Sequence, residues 1–301
     1  MCWIPFIYTY YLEMIWTSGL KAKPKNWLIK FGTEHKVMLF HKFFDFFEGY
    51  EDCYVIIGGN AAAIWLAQDH QDFRATQDYD MVVIFENSQL GFSQKFDDFI
   101  EKYGYLCAEI GGDVNKKKVY YRFALDPALA VTGVPQQIEL FSKIPLRYEL
   151  RLLTETMPLH FATGPSLSAI VLNDDYYSLL KQCQQKIGHV SILSVPGLIY
   201  FKAKAHLDIR QRLANGDKLR HRANKNKHYK DVCRLCDLII ENQTFDSKVV
   251  PRTCQNDLKS FIQLVEAEPE QIFKKRFKSD PDFDLNRDEV VRVLRSLLPT
   301  S

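Results

Sequence analysis

The stretch FRATQDYDMVVIF, residues 73–85, decides how the chain is read. Its second half, MVVIF, is apolar and β-branched and predicts a buried strand. On a strand, residues i and i+2 share a face. Asp78 and Asp80 therefore project together where the strand begins, and Tyr79 projects opposite. Two carboxylates held side by side repel each other. A cation removes the conflict, and Mg²⁺ typically takes one or two carboxylates plus the phosphates of a substrate. A turn in which Asp78 caps and Asp80 is solvated produces the same D-x-D pattern, so the flanking sequence has to decide.

Upstream, CYVIIGG (53–59) reads as a short buried strand that ends in two glycines. NAAAIWLAQDH (60–70) reads as a helix with Asn60 as its N-cap. A helix amino terminus with small residues exposes backbone N–H groups and suits a phosphate. Strand, Gly58–Gly59, helix and then a strand-borne D-x-D place a phosphate site beside a metal site. That order suits metal-assisted phosphoryl or nucleotidyl transfer. Downstream, QQIELFS (136–142) is a further strand whose alternation puts Gln137, Glu139 and Phe141 on one face. A charge inside such a run is costly unless paired or metal-bound. Glu139 is thus a third metal ligand, a base for an attacking hydroxyl, or a strand-edge glutamate.

Other segments sort by periodicity. Helices are expected at 35–50, 93–105, 195–213, 228–242, about 255–266 and 288–298, and strands at 79–86, 117–125, 136–142 and 190–193. Residues 168–182 fit neither pattern cleanly. The fold class is α+β: a sheet flanked by helices over 36–150, then a mainly helical region over 151–301. Residues 1–35 form an extension whose role is open. Its apolar start, MCWIPFIYTYYLEMIW, lacks a basic n-region and a cleavage site, and Glu13 interrupts it. With no other apolar span, the chain is expected in the cytoplasm, with no membrane partner. Seven scattered cysteines fit a reducing compartment. Cys233 and Cys236 sit on an apolar helix face and are expected in the core.

IIGGNAAAIWL with FRATQDYDMVVIF resembles the nucleotidyltransferase fold of the DNA polymerase β superfamily, and more narrowly the AbiEii-type nucleotidyltransferases, which include toxins of type IV toxin–antitoxin systems. IELFS (138–142), LIYFKAKAHLD (198–208) and NKHYKDVCRL (226–235) match the same group in the same order. The resemblance covers roughly residues 50 to 245.

It implies a Mg²⁺-dependent enzyme of the nucleotidyltransferase class that moves NMP from an NTP to an acceptor hydroxyl. Asp78 and Asp80 match the metal-binding acids, with Glu139 completing the set. Gly58 and Gly59 match the glycines that line the triphosphate. Many members carry Ser at the second of these positions, so here the contact falls to backbone N–H or to Asn60. Arg74 and Thr76 lie in the R-x-T-x-D-x-D run associated with this branch, and Arg74 is expected to bridge to a carboxylate or a phosphate. A helix lysine of the family faces the triphosphate. Lys202 and Lys204 are both candidates, but residues two apart do not share a helix face, and the K-x-x-A spacing favours Lys202. Asp231 matches the family's later acid.

Eleven Lys or Arg lie between Lys202 and Arg234 against three acids, whereas the whole chain carries +2. Such a cluster attracts phosphate backbones, with His228 and Tyr229 as candidates to stack on a base. Beside a transfer site it makes RNA, such as a tRNA, the favoured acceptor; the resemblance also leaves a protein hydroxyl as acceptor and implies an antitoxin as a partner. Two other readings stay open: a nucleotide- or nucleic-acid-binding protein without chemistry on the same fold, and a transferase for small molecules.

Overall fold

The computed structural model describes residues 41–68, 71, 78–84, 86–87, 90–110, 117–126, 133–142, 173–216, 226–239 and 245–299. All of them fall within one compact unit, residues 34–301. Its centre is a seven-stranded mixed sheet in the order β3-β4-β5-β2-β1-β7-β6. The strands are β1 (Tyr54–Ile57), β2 (Asp78–Val83), β3 (Leu106–Ile110), β4 (Lys117–Ala124), β5 (Gln137–Ser142), β6 (Gln184–Ile187) and β7 (Val190–Leu193). β2 runs parallel to β5 and antiparallel to β1, and β1 runs parallel to β7.

β1 is buried at every position, which explains its unbroken apolar run. One face of the sheet is covered by aromatic side chains from helices α1 (His41–Phe46) and α3 (Leu90–Tyr103). Tyr79 belongs to this layer, with its ring 5.3 Å from that of Phe43. Phe44 also packs on Tyr79, and Phe43, Phe47 and Phe99 pack edge-on or tilted on one another beside it. Tyr79 is thus held on the core side, and alternation sends Asp80 to the other face.

That other face carries α2 (Gly58–Gln68) and α5 (Val195–Ala214). Trp65 of α2 donates its Nε1–H to the Leu193 carbonyl at 2.9 Å, which ties α2 to the end of β7. α5 begins where its sequence says it should, with Ser194 capping the Gly197 N–H and Pro196 in the first turn. α6 (Lys227–Cys236) packs on α5; α5 packs on α7 (Arg252–Glu266), α6 on α9 (Arg287–Ser296), and α9 in turn on α7 and α8 (Glu270–Phe277). Tyr200 of α5 donates to the Leu297 carbonyl at 2.6 Å, so the carboxy-terminal helices brace α5. Cys233 and Cys236 are both buried, as expected of core residues. Among the described residues no helix is long and apolar enough to cross a membrane.

Several expectations need correction. The mainly helical region 151–301 also supplies two strands to the sheet: β7, at the expected 190–193, pairs with β1, and β6 extends the edge. α2 starts at Gly58, so Asn60 lies inside its first turn and is not its N-cap. α6 ends at Cys236, not near 242. Residues 168–182 hold α4 (Asp174–Gln182), whose N-cap Asn173 accepts from the Asp175 and Tyr176 N–H groups. β3, β6 and α8 had no counterpart in the periodicity; β6 is a polar edge strand, QQKI, which carries no apolar alternation.

Candidate functional site

Register brings the carboxylates together. Asp80 pairs with Ile57 on one side and with Glu139 on the other, and Asp78 pairs with Gln137. Asp80 and Glu139 are therefore lateral neighbours on one face. Gly58, the residue after β1, has φ +74°, and a Cβ placed there would meet Asp80 Oδ2 at 2.0 Å. Glycine is required at this point both by the backbone and by the approach of the carboxylate. The Asp80 carboxylate sits at the amino terminus of α2, where the helix dipole favours negative charge.

Glu139 is half-buried, and its Oε1 is 2.5 Å from Arg122 Nη2. Gln137 Nε2 donates to the same oxygen at 3.0 Å. Arg122 lies directly across from Glu139 in the β4–β5 register. Glu139 stands where a third acid would stand, but in the grip of a guanidinium.

Above the sheet, a small cavity is lined by Gly58, Gly59, Asp80, Leu198, Phe201, Lys202, Ala205, Lys227 and His228. It encloses about 40 Å³, the room of one or two waters. Lys202 Nζ donates to Asp231 Oδ2 at 2.7 Å, and both side chains are only 4% exposed. This pair clamps α5 to α6 at the wall of the cavity.

Lys204 points elsewhere. Its Nζ lies 3.3 Å from Asp208 and 3.5 Å from Asp257 of α7, and Tyr176 donates to Asp257 as well. This network takes Lys204 out of the candidate set. Arg74 and Thr76 lie outside the described residues, as does the side chain of Asp78. Asn60 is buried and does not line the cavity.

The basic cluster also changes character. Lys202 is paired with Asp231, Lys204 with Asp208 and Asp257, and Arg234 with Asp280 at 3.4 Å. Two of these acids, Asp257 and Asp280, lie outside the segment, so counting within it overstated its charge. Residues 217–225 of the cluster lie outside the described residues. Tyr229 is not placed to stack on a base. It is buried, donates to Glu268 at 2.8 Å, and packs against Phe261 and His206. His228 does line the cavity. Arg122 was missed from sequence, although an arginine inside the apolar strand VYYRFAL was itself a signal of a buried partner.

One turn beyond Lys202, His206 is 4% exposed, and its Nδ1 has no hydrogen-bond partner among the described residues. Its ring faces Tyr229 and Phe261, with Arg210, Arg276 and Glu268 as the charged groups around it. Burial, then Arg210 and Arg276, pull its pKa down to about 4. At pH 5 the unfolded chain binds this proton and the folded chain does not, so stability falls as pH drops from about 6.5 towards 4. The loss approaches about 3 kcal/mol. Thermal melts at pH 5 and 7.5 should show it, and His206→Phe should flatten that difference. An unchanged pH dependence in His206→Phe would assign the effect to other groups.

Compared with protein-family models, with curated proteins and with solved structures, the chain gives no match.

Proposed function

We propose that the protein is a Mg²⁺-dependent nucleotidyltransferase built on a polymerase β-like fold. The single observation that carries the proposal is the contact between Gly58 and Asp80: the glycine turn that opens α2 and the carboxylate strand are shaped to each other within one cavity. Phosphate-binding backbone and metal-binding acid are then adjacent, as the transfer of a phosphorylated group requires.

In this proposal Asp78 and Asp80 hold Mg²⁺, which when bound neutralises charge that develops on the phosphates. The N–H groups at Gly58 and Gly59 receive phosphate oxygens at the positive end of α2. Lys202 lends its cation to the same wall, and Asp231 fixes where that cation sits. The cavity is small, with room for no more than one phosphoryl-sized group, so the rest of the nucleotide lies outside it. The acceptor oxygen bonds to the α-phosphorus, the bond from that phosphorus to pyrophosphate breaks, and the hydroxyl proton is released to water. RNA, such as a tRNA, or a protein is the acceptor we favour. His228 and Lys227 at the start of α6 border the route in.

One observation favours a second reading, a nucleotide-binding protein without chemistry. Lys202 and Glu139, the cation and third acid of the proposed site, are each already held by an opposite charge. A transfer assay separates the two. Purified protein, Mg²⁺, each α-³²P-labelled NTP and total cellular RNA plus protein should yield label on one acceptor. The Asp78→Ala/Asp80→Ala variant should yield none. Magnesium-dependent NTP binding with no labelled product would select the second reading.

A further inference from the structure

Lys227 and His228, the two residues that open α6, line the same cavity as Gly58, Gly59 and Asp80. Resting on the phosphate site proposed above, we propose that they form its second wall. Lys227 and His228 hold the terminal phosphoryl group of the nucleotide from the α6 side while Gly58 and Gly59 hold it from the α2 side, so that the cavity selects the end of a polyphosphate chain.

Three observations carry this. First, two helices begin at one small space. Gly58 is the first residue of α2 and Lys227 the first of α6, and both line the cavity. The first N–H groups of a helix have no acceptor within it, and that end favours an anion. Neither helix carries an acid in its first turn, and the Asn226 side chain makes no capping bond to α6. Second, the side chains of the wall are donors. Lys202, Lys227 and His228 bring ammonium and imidazole groups, whereas phosphoryl oxygens accept. An ammonium carries three donors, so the bond from Lys202 to Asp231 does not exhaust it, and the same holds for Lys227 with any one partner. His228 is half-buried, with its Nδ1 shut off from solvent. Asp80 is the one carboxylate among the described lining residues, and in the proposed site it faces the metal.

Third, the shape suits a chain end. The cavity, about 40 Å³, is walled by α2, by α5 through Leu198, Phe201, Lys202 and Ala205, and by α6. A phosphoryl group in the middle of a chain must send bridging oxygens out on two sides. A terminal one sends out a single bridge and turns three other oxygens to its surroundings. Three walls that each bear donors match those three oxygens. His228 is therefore a phosphoryl contact and not a platform on which a base stacks.

Calorimetric titration of the full chain tests this with two probes, both in Mg²⁺. One is tripolyphosphate, a chain end without base or ribose. The other is the α,β-methylene analogue of each NTP, which cannot transfer NMP. Wild type should bind both, and tripolyphosphate should compete with the analogue. Lys227→Met and His228→Phe should each weaken both probes by about tenfold or more, as loss of a hydrogen bond to a charged group implies. His228→Gln keeps a donor without an aromatic face and should stay within about threefold of wild type. Thermal melts check that each variant folds, and Lys227→Met decides alone if His228→Phe does not. If His228→Phe keeps the analogue while His228→Gln loses it, His228 stacks on the base and the inference is overturned. Wild-type affinity for tripolyphosphate in folded Lys227→Met and His228→Phe would overturn it as well. So would a wild-type protein that binds an NTP analogue but not tripolyphosphate, which would leave the proposed function standing. Folded wild type that binds neither probe would remove the phosphate site, and with it the proposed function.

Discussion

Lys202→Met should lower the melting temperature by roughly 10 °C. The lysine is buried, and its Nζ is 2.7 Å from Asp231. Methionine fills nearly the same space but leaves the Asp231 carboxylate without its cation. Removing one partner of a buried pair typically costs about 3–5 kcal/mol, because the remaining charge stays out of water. At about 2–4 °C per kcal/mol for a unit of this size, the shift is easily read by calorimetry. Asp231→Leu should cost a similar amount for the mirror-image reason. The double variant Lys202→Met/Asp231→Leu should recover much of the loss, since an apolar pair of similar volume often replaces an ion pair at little cost. That double variant is also informative about function. If the pair only clamps α5 to α6, transfer activity should return with stability. If Lys202 supplies charge to the phosphates, the refolded double variant should stay inactive. A single Lys202→Met variant that melts within 2 °C of wild type would show that the pair contributes little to the fold.

The parts of the site that were legible in sequence are those whose signal is local. The run CYVIIGG followed by a small-residue helix gave β1 and the opening of α2, because β-branched residues and glycines act within a few positions. The alternation in DYD gave the opposed faces of Tyr79 and Asp80, since strand geometry fixes it. Helical spacing showed that Lys202 and Lys204 cannot share a face, and they do not. What was not legible depends on which strands become neighbours. The Arg122–Glu139 pair requires β4 beside β5, and the pairing of Asp80 with Glu139 requires β5 beside β2. Neither adjacency is written in a local pattern. The same is true of the basic cluster, where Asp257 of α7 and Asp280 of the connection after α8 neutralise cations that looked free. Helix boundaries slipped for a related reason: α6 stops at Cys236 although apolar periodicity runs on into Leu238 and Ile239.

Gly58→Ala should damage the site more than any other single methyl group we can add, and Gly104→Ala provides the measure of how much. Both glycines have nearly the same backbone, φ +74° and +71°. Placing alanine in that left-handed region costs about 1–2 kcal/mol at either position. At Gly104 a Cβ would meet nothing within 4 Å, so the backbone cost is the whole cost. At Gly58 the Cβ would fall 2.0 Å from Asp80 Oδ2 and 2.9 Å from its Cγ. The carboxylate must swing away or the start of α2 must shift, and either movement separates the acid from the helix terminus. Gly104→Ala should therefore melt a few degrees below wild type and retain wild-type Mn²⁺ affinity. Gly58→Ala should melt lower still and lose Mn²⁺ affinity by about tenfold or more, the cost of misplacing one of two metal-binding carboxylates. Equal melting temperatures and equal Mn²⁺ affinities for the two variants would mean that Asp80 moves aside freely. The close approach at Gly58 would then be incidental, and the observation on which the proposed function rests would lose its force.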